Sequence, residues 1–158
     1  MTPFWLTVAA LVAPAVPAEA PSLDAWRGSW AGEGQAFGKP ATATLEIAAG
    51  EGGATELAYS LSIAGAPSVS YSAKADYAFD AKGRLRGKWS DSHGRTRPVS
   101  GGVEGATWWT TWGSADVEIG RSTYVLENGE TLTVSDSILQ PDGSWRVFAM
   151  LRYRRTKG

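Results

Sequence analysis

The chain has 158 residues, a formal charge of −1, no cysteine and a single histidine. Its length suits one domain with a true core, while the composition excludes disulfides, thiolate nucleophiles and sulfur-ligated zinc. No carboxylate spacing matches a calcium loop, no basic footprint of a nucleic-acid binder is present, and the run Arg152 to Lys157 reads as a strand end with a solvated tail.

Residues 1–20 read as a cleavable export signal. The apolar run Phe4 to Val12 is too short to span a bilayer, and Ala18-Glu19-Ala20 presents the A-x-A pattern that a signal peptidase cuts, so the mature chain is expected to begin at Pro21. The segment before the apolar run lacks Lys and Arg, which keeps a retained N-terminal anchor or a disordered tail as the alternatives. With no cysteine available, a lipidated anchor is excluded. The expected destination is periplasmic or secreted, with no membrane insertion after cleavage.

Beyond Pro21 period-two alternation dominates and no apolar stripe of helical period stands out, which predicts an all-β domain over residues 21–158. Ala43, Leu45 and Ile47 share one face of Thr42 to Ile47. After a turn at Gly50 to Gly53, Leu57 to Ile63 alternates large and small residues. Val69 to Phe79 places Val69, Tyr71, Ala73, Ala75, Tyr77 and Phe79 on one side and polar residues on the other. Asp80 to Gly83 predicts a tight turn into Arg84 to Trp89, and Asp91-Ser92-His93-Gly94 another. Arg95 to Ser100 makes a poorer strand, because Pro98 cannot donate to a central ladder, and is expected at an edge or bulge. Ala106 to Trp112 is strongly strand-prone, Gly113 to Ala115 interrupts, and Arg121 to Glu127 resumes. Asn128-Gly129 is a hairpin signal, and Gln140-Pro141-Asp142-Gly143 joins Glu130 to Leu139 with Ser144 to Arg154. The pattern amounts to nine or ten strands joined by hairpin-length turns, which favours a single antiparallel up-and-down barrel over a Greek-key sandwich.

The first predicted strand carries Trp26-Arg27-Gly28-Ser29-Trp30, preceded by a short turn at Ser22 to Ala25. It resembles the G-x-W signature of lipocalin-like (calycin-type) barrels, in which the preceding turn plugs one end and the Trp packs under an Arg of the last strand. The resemblance implies a structural role for Gly28 and Trp30, with Arg152 or Arg154 as the partner. Gly28 to Pro40 also resembles the Gly-rich first strand of nitrobindin-like haem barrels, whose iron ligand is a His on the last strand. Here that strand holds Trp145-Arg146-Val147-Phe148-Ala149-Met150, so haem and other cofactors are not expected.

Candidate chemistry lies on the strands. His93 sits in a turn whose neighbouring side chains splay apart, which argues against a catalytic triad. Trp108 and Trp112 share one face and Trp109 takes the other; they form either core plus an outer aromatic seam or a stacking wall for a flat ligand. Asp136 interrupts the apolar face of Leu132, Val134 and Ile138, and a lone buried carboxylate requires a donor. A three-residue loop at Pro141 to Gly143 sets Gln140 against Ser144, Asp136 opposite Phe148 and Arg146 diagonal to it, whereas a four-residue loop sets Asp136 opposite Val147. The Asp136 and Arg146 pair is then either a polar anchor in the lumen or a salt bridge near the barrel mouth. The resulting expectation is an exported protein that holds a small apolar or amphipathic molecule, with Trp108, Trp112, Tyr59, Tyr77, Asp136 and Arg146 as ligand-binding candidates. The alternatives are an isomerase or hydrolase using Asp136, Tyr59 or Tyr77 as acid-base groups, and an interaction or inhibitor protein with a filled barrel.

Overall fold

A computed structural model describes residues 19–156; the apolar run and Ala18 of the expected leader lie outside the described residues. Ten strands follow one another in up-and-down order: β1 Gly28–Ala36, β2 Lys39–Ala49, β3 Thr55–Ile63, β4 Val69–Phe79, β5 Leu85–Asp91, β6 Thr96–Glu104, β7 Thr107–Ser114, β8 Glu118–Glu127, β9 Thr131–Leu139 and β10 Trp145–Arg155. Each is antiparallel to its neighbours, and pairing of β1 with β10, from Trp30 opposite Arg155 to Ala36 opposite Ala149, closes the barrel. Closure leaves no edge strand to protect.

Alternation sorts the residues as their polarity dictates. Ala41, Ala43, Leu45 and Ile47 of β2 are buried, while Thr42, Thr44 and Glu46 between them are exposed. Turn chemistry fixes the connections. In the turns after β4, β5 and β9 an Asp carboxylate accepts backbone N–H groups within its own turn, Asp80 from Lys82 and Arg84, Asp91 from His93 and Arg95, and Asp142 from Ser144. Pro98 lies inside β6 rather than at an edge. It pairs with Lys88 on β5, while pairing of β6 with β7 begins only at Val99, so the ladder on the β7 side does not extend to the proline.

One end of the barrel is shut. The 3₁₀ turn Asp24–Trp26 brings Leu23 and Trp26 under the strands, where both are buried, and the Trp30 indole N–H donates to the Trp26 carbonyl at 2.9 Å. The residue that locks this plug is Arg155, whose guanidinium lies 4.2 Å from the centre of the Trp30 ring. Its Nε donates to the Gly129 carbonyl at 3.0 Å, and its two Nη groups donate to the carbonyls of Arg27 and Ala25. Gly28, at φ +135°, leaves room for it, because a Cβ there would collide with the guanidinium.

The expectation of Arg152 or Arg154 over Trp30 is therefore corrected to Arg155. On β10 the inward face is Ala149, Leu151 and Tyr153, and period two continues it to Arg155. Arg152 and Arg154 point outward, and Arg152 is exposed in an ion pair with Glu127 at 2.8 Å. Replacing Arg155 by Met should cost about 2–4 kcal/mol, since the cation over the indole and the donors to three backbone carbonyls are lost together. Arg152→Ala should change stability by no more than about 0.5 kcal/mol, as exposed pairs do. Urea denaturation of the two variants beside wild type checks the contrast.

Candidate functional site

Because β1 runs away from the plug, the hairpins β1–β2, β3–β4, β5–β6, β7–β8 and β9–β10 all surround the opposite end, and this end is open. Inside it lies a cavity of about 320 Å³, with mouth residues Phe37, Val69, Asp91, His93, Arg95, Glu118 and Phe148 and inner walls from every strand except β1. Phe37, exposed in the turn between β1 and β2 at φ 52°, stacks on Phe148 with ring centres 5.0 Å apart. A lumen of this volume lies at the small end of the range for small-molecule pockets.

The walls are mostly apolar and aromatic. Tyr59, Tyr71 and Trp89 form one cluster, with Tyr59 centred 6.1 Å from each of the other two. Trp112 stands on β7, two strands from Trp89, and its ring lies across Gly120, the cross-strand partner on β8. A Cβ at that position would strike the indole, so Gly120 seats the ring. Arg97 extends along the same wall, its guanidinium 5.3 Å from the Trp112 centroid. Below the cavity the floor is solid: Trp108 is fully buried, stacked on Tyr124 at 4.1 Å and set edge-on to Tyr77 at 5.2 Å.

Two polar chains cross this apolar surface. Near the mouth the Trp89 indole N–H donates to the Tyr71 hydroxyl at 3.0 Å, which donates to Asp91 Oδ2 at 3.4 Å. Deep in the lumen the Trp112 indole N–H donates to Ser122 Oγ at 3.2 Å, and Ser122 donates to Asp136 Oδ1 at 2.5 Å. Asp136 Oδ2 accepts nothing from the described residues, and no Lys, Arg or His forms an ion pair with Asp136. Burial pushes the Asp136 carboxyl up to about 6, and the Ser122 hydrogen bond offsets only part of that rise. Burial, reinforced by the Asp136 charge, also holds the phenols of Tyr59, Tyr77, Tyr124 and Tyr153 above the ordinary tyrosine range. At neutral pH these four phenols keep their protons, those of Tyr77 and Tyr153 buried without a hydrogen-bond partner, and Asp136 is the group that titrates.

The sequence candidates divide accordingly. Trp112, Tyr59, Tyr77 and Asp136 line the cavity together, whereas Trp108 belongs to its floor and touches no open space. Arg146 does not meet Asp136. The three-residue loop forms as expected, with Gln140 N–H on the Ser144 carbonyl at 2.8 Å, but a bulge at Phe148 then shifts the register so that Asp136 faces Ala149. Arg146 is left exposed opposite Ile138, outside the cavity lining. Ser122, Tyr71, Trp89, Arg97 and Phe148 were not foreseen as site residues. Only the alternation of Tyr71 and Trp89 with polar neighbours carried a signal for any of them.

The donor set does not suit haem. The inward residues of β10 are Phe148, Ala149, Leu151 and Tyr153, and His93 sits on the mouth turn with its ring against Tyr71 at 5.7 Å. Among the described residues no group of three or more His, Asp or Glu side chains could hold a metal ion.

These features define a class: a closed ten-stranded antiparallel up-and-down barrel, consistent with a calycin-like barrel, with one plugged end and one open, aromatic-walled lumen. No protein-family model matches this sequence, and no curated protein does.

The Asp136 environment has a consequence for stability. A rise from 3.8 to about 6 corresponds to about 3 kcal/mol against the ionised carboxylate in the folded state. The folded group takes up its proton at higher pH than the unfolded one, so the penalty is absent below about pH 4 and complete above about pH 6. Asp136→Asn should therefore gain stability relative to wild type by about 2–3 kcal/mol on going from about pH 4 to about pH 8. Denaturation midpoints across that range measure it; a difference independent of pH would place the carboxylate in a wetter setting.

Proposed function

We propose that this chain is an exported, lipocalin-like binding protein that holds a small apolar or amphipathic molecule in its barrel lumen. The observation that carries the reading is the combination of an open lumen of about 320 Å³ with aromatic walls and a single carboxylate at depth. Pockets that orient a ligand by a few polar groups in an apolar surround have this composition. A filled barrel acting through its loops alone would need no such space. Burying about 200 Å² of apolar ligand surface yields about 5 kcal/mol before association costs, so hydrophobic fit alone supports weak to micromolar affinity.

A second reading, an isomerase that uses Asp136 as base, is favoured by one observation: a carboxyl shifted to about 6 inside a cavity is poised for proton transfer near neutral pH. Hydrolysis by a serine triad is not supported, since Ser122 hydrogen-bonds to Asp136 directly and His93 lies at the mouth.

Titration with Nile red, a neutral apolar dye, read by quenching of the tryptophans and by dye emission, tests the binding reading. Saturable one-to-one binding is expected with a dissociation constant in the micromolar range. Val134→Phe, which fills the lumen from β9, should weaken it about tenfold or more. Absence of saturable binding, or binding indifferent to Val134→Phe, would point to a surface site or a closed lumen.

A further inference from the structure

The feature that the binding reading leaves unused is the second oxygen of Asp136. In a folded protein a carboxylate removed from bulk water is normally paired with a cation or saturated with donors. Here Ser122 supplies one hydrogen bond to Oδ1, Oδ2 has no partner among the described residues, and the side chain borders the cavity. The groups that surround it from the packed strands are Ser122 and Tyr124 on β8, Tyr59 on β3, Tyr77 on β4 and Tyr153 on β10, and none of these is basic. The lumen cations, Arg97 and Arg95, belong with the upper wall and mouth, where Arg97 rests on the Trp112 ring. The base of the pocket is thus a carboxylate among tyrosine hydroxyls, two of which, on Tyr77 and Tyr153, are themselves buried without a hydrogen-bond partner, and no cation lies beside it among the described residues.

We infer that the ligand carries a protonated amine, and that this ammonium group pairs with Asp136 at the base of the lumen while its apolar body lies against Tyr59, Trp89 and Trp112. This inference rests on the proposed binding function and narrows the ligand to a small amphipathic amine. An ammonium would give Oδ2 the donor it lacks together with the opposite charge that is missing from the base of the pocket, of which a neutral alcohol supplies only the donor. A carboxylate-bearing ligand would instead be repelled at the base and held by Arg97 nearer the mouth. Because the Asp136 carboxyl titrates near 6 while a primary alkylamine remains protonated to about pH 10, affinity for the amine should fall as the solution is acidified from about pH 8 to about pH 5.

The test displaces Nile red from the full chain with three ligands of one chain length, octylamine, octanol and octanoate. Octylamine should compete at least tenfold better than either of the others at about pH 8. Its advantage over octanol should vanish at about pH 5 and in Asp136→Asn, and persist in Arg152→Gln, which alters the outer face. The acid arm keeps the outcome readable should Asp136→Asn fold poorly. Octanol competing as well as octylamine, or an advantage that survives Asp136→Asn, would overturn the amine assignment while leaving the binding reading in place. Octanoate competing best would overturn it in favour of Arg97 as anchor. If neither Nile red nor any of the three ligands bound, the binding reading itself would fail.

Discussion

Arg155 stacks on Trp30 and donates to three backbone carbonyls, and this one cation ties the plug to the first and last strands. The contact joins the first strand to the last, Trp30 being directly opposite Arg155 in the register that closes the sheet. The same guanidinium reaches the carbonyls of Ala25 and Arg27 at the plug and of Gly129 in the turn between β8 and β9. Guanidinium suits the position because its planar face can lie on an indole while its edges donate in several directions, which an ammonium cannot do. A barrel sealed at one end by Leu23, Trp26, Trp30 and Trp108 has a base, and only a lumen with a base can hold a ligand by its depth.

Above that base the polar groups take their meaning from what surrounds them. Asp91 and Asp136 both end a chain that starts at an indole N–H and passes through a hydroxyl, yet they differ in state. Asp91, near solvent, has two backbone N–H groups of its own turn on Oδ1 and stays below the ordinary carboxylate range. Asp136, deep in the lumen, has one hydroxyl and is shifted upward. The contrast follows from the number of donors set against the loss of water. The ionised form of the inner carboxylate therefore costs the folded protein stability, whereas that of Asp91 does not.

Much of the architecture was legible because the signals were local. Alternation in Val69 to Phe79 and turn residues such as Asn128-Gly129, both at positive φ in the fold, specify strands and hairpins without reference to the rest of the chain. What was not legible depends on register. A strict two-residue loop at Asn128-Gly129 would set Arg121 opposite Asp136; the loop takes in Glu130 as well, Glu127 pairs with Thr131, and Ser122 becomes the partner instead. The bulge at Phe148 likewise moves Ala149 opposite Asp136 and separates Arg146 from it. Neither shift leaves a local mark, since each is decided by how two strands fit the closed sheet. Asp136 itself was legible as a carboxylate on an apolar face. Arg155 was within reach of the same reasoning, for the alternation of Ala149, Leu151 and Tyr153 selects it over Arg152 and Arg154. The turn at Phe37-Gly38 was not, because a phenylalanine at φ 52° is contrary to turn preference and is held there by stacking on Phe148.

The proposal that the plugged barrel keeps a small molecule in its lumen is tested most directly by native mass spectrometry of the protein recovered from its own host. The account predicts one small molecule of constant mass per chain, released on denaturation and missing from Val134→Phe prepared in the same way. Protein that carries no such mass, and acquires none from an extract of its host, would contradict it.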